Sequence, residues 1–417
     1  MENSVIGLTS CIYYHPEAYT TSGPALMGRN AAGESFLKGF LKHSNSDVVW
    51  IYVEMPGHVQ SFKEEHGKAC SGRQVTFLGP EQMSDLQEPG CIFYPGPNLN
   101  SLSLNRHFFG STSWSLCGIT HTTASQHAMN SIVDIPTSHL EPWDALICPS
   151  ISVKGHVEVM LNEQNKFLRD HMGLTSENHV QIPVIPLGIN TEDFQSTDSE
   201  RSSARSKLGI SSEDLVVLYV GRLSFHAKAH PLPMYEALEA ASRAVDNNIV
   251  LIETGWHGNE HIRLAFKQGA ESVCPSVKVI QLDGRKASER NVGWASADIF
   301  CSLADNIQET FGIVPIEAMA AGLPVVVSDW DGYRDSVRDE IDGFRIPTLM
   351  PPEGCGEDLA FRYASGVDSY DRYCGNTSSL ISVDIDAATE AFVTLFKSSE
   401  LRAEMGSKGQ DRAKNLY

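Results

Sequence analysis

Positive charge is scarce in this chain of 417 residues. Lys and Arg number 32 against 52 Asp and Glu, so the formal net charge is -20 at pH 7. Nucleic acids and anionic lipid headgroups are polyanions, and a chain with an excess of negative charge disfavours their nonspecific binding. We therefore expect no nucleic-acid partner, although a local basic patch is compatible with this charge balance.

Long apolar runs and paired cysteines are also lacking. No uninterrupted apolar run approaches the length of a membrane span, and the opening Met-Glu-Asn-Ser lacks the positive n-region of a signal peptide. The 9 cysteines are scattered without a Cys-x-x-Cys pair, and Cys148 and Cys301 lie in apolar, strand-like runs. Buried reduced thiols explain this pattern better than a zinc site, and we expect a cytoplasmic protein.

What is present is the composition of an ordinary globular protein, with 41% hydrophobic and 20% charged residues. Its length favours two domains, which we place at residues 1–195 and 213–400. A polar, serine-rich stretch at residues 196–212 has the composition of a linker.

Strand-like and helix-like segments alternate along both predicted domains, which indicates α/β domains with mostly parallel, doubly wound sheets. The predicted helices include residues 31–42 and 153–171. The predicted strands are Val5 to Ser10, Val48 to Glu54, Val75 to Leu78, Cys91 to Tyr94, Leu116 to Thr120, Ala145 to Cys148, Val184 to Pro186, Leu215 to Leu223, Ile249 to Glu253, Val277 to Leu282 and Ala297 to Leu303.

The most informative stretch runs from Asp305 to Asp331. A loop leads into a predicted helix at residues 313–321, and Pro315 fits the first turn of that helix because a missing N–H matters little there. Gly322 is predicted to take the left-handed conformation that ends a helix. The all-apolar run at residues 323–327 then indicates a buried parallel strand.

The helix start in this stretch favours a particular ligand chemistry. The backbone N–H groups of residues 310–313 have no partners within the helix, so they suit a phosphate group. Glu309 and Glu317 flank that position, and their carboxylates accept hydrogen bonds, which suits neutral hydroxyl groups such as those of a ribose and a hexose. The stretch therefore predicts a sugar-nucleotide site. The alternative is two solvated glutamates at the start of a helix.

The string Glu309-x7-Glu317, with its Glu-x-Phe-Gly and Glu-Ala-Met-Ala-Ala-Gly-x-Pro-Val-Val elements, resembles the signature of retaining glycosyltransferases of family 4. The resemblance implies the GT-B fold, in which two Rossmann-like domains face each other across a cleft. It also implies that Glu309 contacts the hydroxyls of the donor hexose and Glu317 the ribose. The donor-binding backbone would be that of Thr310, Phe311, Gly312 and Ile313.

Two further segments of the second domain match this resemblance. Gly221 and Arg222 follow the strand that opens the domain, and Lys228 comes six residues after Arg222. Two cations at the end of a strand can neutralise a departing diphosphate, although exposed basic residues alone mean little. The turn Asp283-Gly284-Arg285 stands where the backbone of family members reads the nucleobase.

The first domain offers weaker candidates. Gly28, with Gly23 and Gly33, lies in the segment after the first strand, where family members bring glycine backbone close to the donor diphosphate. A plain surface loop is the alternative. His121 follows another strand, and the resemblance implies that it approaches the donor hexose, whereas a lone histidine is more often structural.

Further polar side chains near these strands have structural alternatives. Ser125 and Gln126 could line the acceptor side. Ser150 and Lys154 open the next helix and could face the same cleft, but an N-cap role is the stronger interpretation of Ser150.

Two departures from the family pattern stand out. About thirty residues, 348–378, are inserted after a predicted strand and turn, and a loop of that length is expected to be functional or disordered. Residues 401–417 resemble the start of the segment that crosses back onto the first domain in this family, so we expect a truncated or shortened end. We expect the insertion to pack on its own domain and to form a subunit contact or a cleft rim, without contacting the donor.

The prediction is a retaining, metal-independent hexosyltransferase. It would use a nucleotide-diphosphate sugar and an unidentified glycan, lipid or small-molecule acceptor, without a cofactor, and a homo-oligomer is possible. We find no Asp-x-Asp metal motif in a donor-site context, so charge on the leaving diphosphate would fall to Arg222 and Lys228. The alternatives are a sugar phosphorylase of the same fold and a catalytically silent, sugar-nucleotide-binding subunit.

Overall fold

The computed structural model describes residues 9–21, 28–175 and 180–417. The chain divides into two compact units, Met1–Gly188 and Ile189–Tyr417. The predicted end of the first domain at residue 195 therefore lies seven residues inside the second unit.

Unit 1 is built on a sheet of six parallel strands with the spatial order β3-β2-β1-β4-β5-β6. This order reverses direction between β1 and β4, and such a switch point in an open α/β sheet is where ligands usually bind. The strands are β1 (Cys11–Tyr13), β2 (Val48–Tyr52), β3 (Gln74–Leu78), β4 (Cys91–Tyr94), β5 (Ser115–Ile119) and β6 (Ala145–Ile147).

Helices connect these strands, as parallel pairing requires a crossover between them. Hydrophobic cores lie on both faces of the sheet, because side chains of successive strand residues point to opposite sides. The α-helices are α1 (Pro16–Tyr19), α2 (Gly28–His43), α3 (Pro56–His66), α4 (Asn100–His107), α5 (Gln126–Val133) and α6 (Ile151–Met172), with 3-10 turns at Gly67–Cys70, Pro80–Gln87 and Ile135–Thr137.

Unit 2 repeats the architecture with a second six-stranded parallel sheet, ordered β12-β11-β10-β7-β8-β9, and a separate two-stranded ribbon. Its switch point lies between β7 and β10. The sheet strands are β7 (Leu215–Val220), β8 (Ile249–Gly255), β9 (Lys278–Asp283), β10 (Ile299–Ser302), β11 (Val325–Ser328) and β12 (Gly343–Ile346), and the ribbon strands are β13 (Thr348–Leu349) and β14 (Ser382–Val383).

The helices of unit 2 cover this sheet, and one of its cores includes Val217, Tyr235, Leu251, Phe266 and Phe392. They are α7 (Asp198–Leu208), α8 (Leu232–Ser242), α9 (Glu260–Val273), α10 (Ala287–Ser296), α11 (Ile313–Ala320), α12 (Tyr333–Ser336), α13 (Glu357–Ala364), α14 (Tyr370–Ser378), α15 (Ile385–Lys397) and α16 (Ser399–Leu416), with a 3-10 turn at Thr191–Phe194. No helix of the described ranges is both long enough and apolar enough to cross a membrane.

The predicted linker is wrong, because residues 198–208 form helix α7. Thr197 caps the helix through the N–H of Glu200, whose carboxylate in turn accepts from the Thr197 N–H. Arg201 and Arg205 of α7 each bind a carboxylate oxygen of Asp298, at 2.5 Å. Ion pairs attach this helix to unit 2, so its sequence is rich in polar residues. That polar composition led to the prediction of a linker.

Two of the predicted strands also differ. The first strand of unit 1 is Cys11–Tyr13 rather than residues 5–10, of which 5–8 lie outside the described residues. Val184 makes only an isolated bridge to Cys148 instead of starting a strand. Pro183 and Pro186 flank the second segment, and a proline has no N–H to donate to a neighbouring strand.

The insertion at residues 348–378 is largely helical rather than a loop, so that expectation is wrong. It contains α13 and α14, and the antiparallel pairing of β13 with β14 closes its base. Ser369 caps α14 through the N–H of Arg372, and Arg362 binds the buried Asp368 with two hydrogen bonds. The insertion packs on its own unit, as predicted, for example through the bond from the Thr348 hydroxyl to the Asp329 carbonyl at 2.8 Å.

Helix α16 packs against α11 of the same unit. A Cβ added at Gly406 would lie 2.0 Å from the carbonyl oxygen of Gly322, and one at Gly409 would lie 3.0 Å from the Met319 side chain. Gln410 also donates to the carbonyl of Ala320. The predicted role of residues 401–417 in a crossing onto the first domain stays a prediction.

Candidate functional site

The candidate site of unit 2 lies at the switch point of its sheet. The loop after β7 carries Arg222 and Lys228, and the loop after β10 carries Glu309. Because β7 and β10 are adjacent parallel strands, both loops leave the same edge of the sheet. The structure therefore brings the loop of Arg222 and Lys228 next to Glu309, which lies 81 positions after Lys228 in the sequence.

Lys228 and Glu309 form a direct ion pair between Nζ and Oε2. The side chains are 20% and 10% exposed, so the pair is partly withdrawn from water. The Tyr333 hydroxyl lies 3.3 Å from the same carboxylate oxygen and 2.9 Å from the Ser302 hydroxyl. This chain of polar groups fixes the Glu309 carboxylate at the carboxyl end of β10.

Arg222 is held by its own loop. Its guanidinium donates to the Ala227 carbonyl at 3.3 Å, and its carbonyl accepts from the Tyr219 hydroxyl at 3.0 Å. A Cβ at Gly221 would lie 3.1 Å from that hydroxyl and 3.4 Å from Cε of Lys228. A glycine at 221 therefore lets the loop close tightly around both cations.

The start of α11 packs tightly against the segment that follows β11. Gly312 has φ of 80°, in the left-handed region, and a Cβ there would lie 2.1 Å from the Tyr333 ring. A Cβ at Gly332 would likewise lie 2.4 Å from the Thr310 carbonyl and from Cα of Phe311. The backbone at the helix start thus packs directly against residues 332–333, which positions its N–H groups.

The other predicted features of α11 are also present. The helix ends at Ala320, and Gly322 has φ of 76°, which confirms the predicted left-handed residue. Phe311 and Ile313 are buried, so their side chains pack in the core, and only their backbone groups are open to the role in ligand binding that the sequence predicts.

Glu317 lies one turn into α11 and is half-buried. Burial raises the pKa of its carboxyl to about 7, while the neighbouring cations Arg290 and Lys228 act to lower that pKa. Arg290 also donates to the Gly284 carbonyl at 2.8 Å, so the turn after β9 anchors this cation. Sequence reasoning missed Arg290, since no motif distinguishes it from a surface arginine.

The turn of Asp283, Gly284 and Arg285 is well defined. The Arg285 guanidinium binds the Asp283 carboxylate at 2.9 and 3.0 Å, and this bonding lowers the pKa of Asp283. Gly284 donates its N–H to the Gly255 carbonyl at 2.9 Å, and a Cβ at 284 would approach Gly255 Cα at 2.9 Å. Because Asp283 and Arg285 satisfy each other, base recognition at this turn would fall to the backbone.

Asp331 is a second residue that sequence reasoning missed. It has φ of 42°, is 9% exposed, and has a carboxylate oxygen without a hydrogen-bond partner. Burial first, and then the neighbouring Glu309 carboxylate, raises the pKa of Asp331 to about 8. A non-glycine residue in the left-handed region is uncommon and is a recognised feature of functional sites.

One Asp-x-Asp pair does lie close to the candidate site, and the expectation that transfer needs no metal stays a prediction. Asp329 and Asp331 form such a pair, and Asp331 lies beside Glu309. Asp329 is engaged elsewhere, because its Oδ1 lies 3.4 Å from Arg334 and 3.7 Å from Arg345. The two carboxylates are thus in different electrostatic surroundings.

His121 in unit 1 follows β5 and is half-buried. Burial, and then the charge of Arg29, lowers the pKa of His121 to about 4, so the imidazole is neutral at physiological pH. A neutral imidazole can accept a hydrogen bond as well as donate one. Arg29 itself is paired with Glu17 at 2.8 Å.

The other unit 1 candidates divide between packing and capping. Gly28 is the first residue of α2, where a Cβ would meet nothing within 4 Å, whereas a Cβ at Gly33 would lie 1.9 Å from the Ala18 carbonyl. Gly23 lies outside the described residues. Ser125 and Ser150 accept from the N–H groups of residues 128 and 153, so both are helix N-caps. For Ser150 this confirms the structural interpretation.

Comparison with known proteins identifies the segment that carries these residues. Residues 200–351 match the family model described as glycosyl transferases group 1. A phosphatidyl-myo-inositol mannosyltransferase of Mycobacterium leprae is 33% identical over 167 residues, 39% of each chain. A D-inositol 3-phosphate glycosyltransferase of Geodermatophilus obscurus is 27% identical over 204 residues, 46% of this chain and 42% of that protein. The chain spans about two fifths to one half of the length of the curated relatives it matches.

Solved structures extend the likeness in fold to both units. Anabaena HepE, in complex with UDP and glucose, matches with a TM-score of 0.60 at 14% identity, over 98% of this chain and 95% of that one. The sucrose-phosphate synthase of Thermosynechococcus elongatus matches with a TM-score of 0.57 at 16% identity, over 98% and 94%. The chain thus has the GT-B type of fold, with two Rossmann-like domains, and its residues 200–351 are similar to group 1 glycosyl transferases.

Proposed function

We propose that this chain is a retaining glycosyltransferase that moves a hexosyl unit from a nucleotide-diphosphate sugar to a hydroxyl of an acceptor. The observation that carries the proposal is the ion pair of Lys228 with Glu309 at the switch point of the unit 2 sheet, inside the segment that matches the family model. A cation and a carboxylate side by side suit a ligand with a charged phosphate next to a neutral, hydroxylated ring.

The donor would be bound in three parts. The diphosphate interacts with Arg222, Lys228 and the N-terminus of α11, where unpaired N–H groups and the helix dipole favour negative charge. Glu317 accepts hydrogen bonds from the ribose, and the turn at residues 283–285 reads the base through its backbone. Glu309 accepts hydrogen bonds from the hexose, and donor binding changes its partner from Lys228 to sugar hydroxyls.

Bond cleavage would be assisted by electrostatics. As the glycosidic bond breaks, negative charge grows on the departing diphosphate, and the two preorganised cations with the helix start stabilise it. The acceptor hydroxyl attacks the face that the diphosphate leaves, and its proton passes to the leaving phosphate, which retains the anomeric configuration. We propose this chemistry without a metal and assign His121 to hexose contact.

Names of the comparison proteins support the donor class. HepE was solved with UDP and glucose, and the names of two relatives include D-inositol 3-phosphate and phosphatidyl-myo-inositol. From the first we propose UDP-sugars as the first donors to test. The acceptor carries a hydroxyl group. The names of the relatives are compatible with either a polyol or a lipid as this acceptor.

The test is a thermal-shift screen against UDP-, GDP- and ADP-sugars, since a ligand that binds the folded state raises the melting temperature. Glu317→Ala should abolish the shift given by the nucleotide alone, and Glu309→Ala should spare it while removing most turnover. Glu390→Ala, at an exposed glutamate of α15, is the matched control. Wild-type turnover in either site variant, or a product with inverted configuration by NMR, would contradict the proposal.

A further inference from the structure

Asn306 joins two segments that are distant in sequence. It is 1% exposed, and its Nδ2 donates to the His226 carbonyl at 2.9 Å and to the Ser378 hydroxyl at 3.0 Å. His226 belongs to the loop after β7, two residues before Lys228, and Ser378 ends helix α14 of the insertion. Both hydrogens of the Asn306 amide are therefore used to hold the cationic loop and the insertion together.

The remaining polar groups of Asn306 hold the loop after β10. Its Oδ1 accepts from the Gln308 N–H at 3.0 Å, and its carbonyl accepts from the Glu309 N–H at 3.1 Å and from Trp330 Nε1 at 3.1 Å. A buried amide with all these partners is a fully connected polar network, which rigidifies its surroundings. Asn306 thus orders the loops of both members of the Lys228–Glu309 pair.

Helix α14 touches the cationic loop at other points as well. A Cβ at Gly375 would lie 3.0 Å from Cβ of His226, so the helix backbone lies against this residue. The His226 imidazole lies 3.8 Å from the carboxylate of Asp371, also on α14. The Ser378 hydroxyl donates to the Cys374 carbonyl at 2.9 Å, which directs its oxygen towards Asn306.

We infer that Asn306 is a positioning residue that couples helix α14 of the insertion to the loop of Arg222 and Lys228, so that the insertion sets the affinity for the donor diphosphate. The inference rests on the proposed function. Two cations bind a diphosphate best when their loop is ordered before binding, because ordering it during binding reduces the affinity. The insertion therefore acts on the donor site through the cationic loop.

A single-atom change separates this role from ordinary packing. Ser378→Ala removes the hydroxyl that accepts from Asn306 and keeps the helix. Thr377→Ala is the matched control, because within the described residues the neighbouring Thr377 hydroxyl bonds to carbonyls of its own helix, at residues 373 and 374. Ser378→Thr restores a hydroxyl and should restore wild-type behaviour.

We expect Ser378→Ala to raise the KM for the donor about five-fold, the usual effect of one lost hydrogen bond, with kcat within about two-fold of wild type. Amide hydrogen exchange in residues 222–230 should be faster in Ser378→Ala and unchanged in Thr377→Ala. Asn306→Ala should give a larger effect in the same direction, and the double variant with Ser378→Ala should resemble Asn306→Ala alone, because both changes remove the same link.

Equal KM values and equal exchange in Ser378→Ala and Thr377→Ala would overturn the inference. A fall in kcat with an unchanged KM would overturn it too, since the Asn306–Ser378 hydrogen bond would then affect the chemical step instead of the affinity for the donor. The exchange measurement is independent of turnover. If no nucleotide sugar binds the wild-type chain, the proposed function is wrong. If amide hydrogen exchange in residues 222–230 is unchanged in Ser378→Ala, the coupling of the insertion to the cationic loop is wrong, whatever the function.

Discussion

At the residue scale, the candidate site depends on carboxyl groups that burial makes reluctant to ionise. Burial raises the pKa of Glu317 to about 7 and that of Asp305 to about 7, and burial with the Glu309 charge raises that of Asp331 to about 8. Strongly shifted pKa values cluster at functional sites, although structural networks also produce them. Asp305 follows β10, Glu317 lies in α11 and Asp331 follows β11, so all three carboxyl groups lie at the switch-point edge of one sheet.

The raised pKa of Glu317 predicts that donor binding depends on pH. If ribose recognition needs the carboxylate, the ionised fraction rises from about a tenth at pH 6 to about nine tenths at pH 8, so affinity should tighten about nine-fold. A nucleotide-diphosphate sugar is the appropriate probe, because both of its phosphates stay singly ionised across this range. Isothermal titration calorimetry at pH 6, 7 and 8 measures the effect.

Glu317→Gln is the control for this prediction, and its weaker affinity should be nearly independent of pH. Stability gives a second readout with a defined sign. Because the pKa of Glu317 in the folded state lies above its ordinary value of 4.5, the folded state binds more protons. The free energy of unfolding contributed by Glu317 therefore falls between pH 4.5 and 7. Glu317→Gln should remove the contribution of Glu317 to this decrease in the free energy of unfolding. A wild-type affinity that is flat with pH would contradict the role of the carboxylate.

Metal independence is the second prediction at this scale. Asp329 is paired with Arg334 and Arg345, while Lys228 already supplies a cation beside Glu309, so we expect charge neutralisation by side chains. Transfer should keep most of its rate in EDTA, and Asp329→Asn should change the rate by less than about three-fold. Lys228→Ala should reduce the rate at least 100-fold, because it removes a preorganised group that stabilises charge in the transition state. Activity lost in EDTA and restored by magnesium or manganese would refute this.

At the element scale, most strands of the two sheets and the helices α2, α6 and α11 could be predicted from periodicity and composition. Helix α11 and Gly322 follow directly from Pro315 near the start and glycine at the end, and the structure confirms them. Helix α7 and the helices of the insertion were not predicted. They lack a continuous apolar face, and ion pairs and helix caps stabilise them instead. Sequence spacing does not show that Arg205 will meet Asp298 or that Arg362 will meet Asp368.

The ion pair of Arg106 with Asp144 is a further tie that sequence could not reveal. Both side chains are 0% exposed, and two hydrogen bonds of 2.6 and 2.7 Å join α4 to the residue that precedes β6. Asp144 also accepts from the N–H groups of Leu116 and Glu141, and Arg106 donates to the carbonyls of Trp114 and His139. The pair therefore organises the β4–β6 side of the unit 1 sheet.

We predict that Asp144→Ala lowers the free energy of unfolding by about 3–5 kcal/mol, because it leaves the Arg106 charge buried without its partner. Asp170→Ala, at an exposed position of α6, should change it by less than about 0.5 kcal/mol. The double change Arg106→Met with Asp144→Leu should recover part of the loss, since no buried charge remains. Urea denaturation of the four proteins decides, and a loss below about 1 kcal/mol for Asp144→Ala would show that the pair is dispensable.

At the scale of the whole molecule, the sequence predicted two doubly wound sheets but not the site's internal contacts. The order of strands follows from alternation and right-handed crossovers, which are general rules of α/β folds. The pairing of Lys228 with Glu309, and the nearness of Arg290 to Glu317, depend on how the segments that follow β7, β9 and β10 converge. No local pattern records that convergence, so Arg290, Tyr333 and Asp331 appeared only in the structure.

The last prediction uses the division into two units. Residues 189–417 contain a complete six-stranded sheet with its own hydrophobic core and, apart from Gly28 and His121, every proposed donor residue. We therefore expect this fragment to unfold cooperatively and to be stabilised by the nucleotide diphosphate that stabilises the whole chain, without catalysing transfer. Thermal melts with and without nucleotide measure this, and the fragment with Glu317→Ala, which should give no shift, is the control. A cooperatively folded fragment that the nucleotide does not stabilise would mean that unit 1 supplies essential nucleotide contacts, and the assignment of the donor site to unit 2 would be wrong.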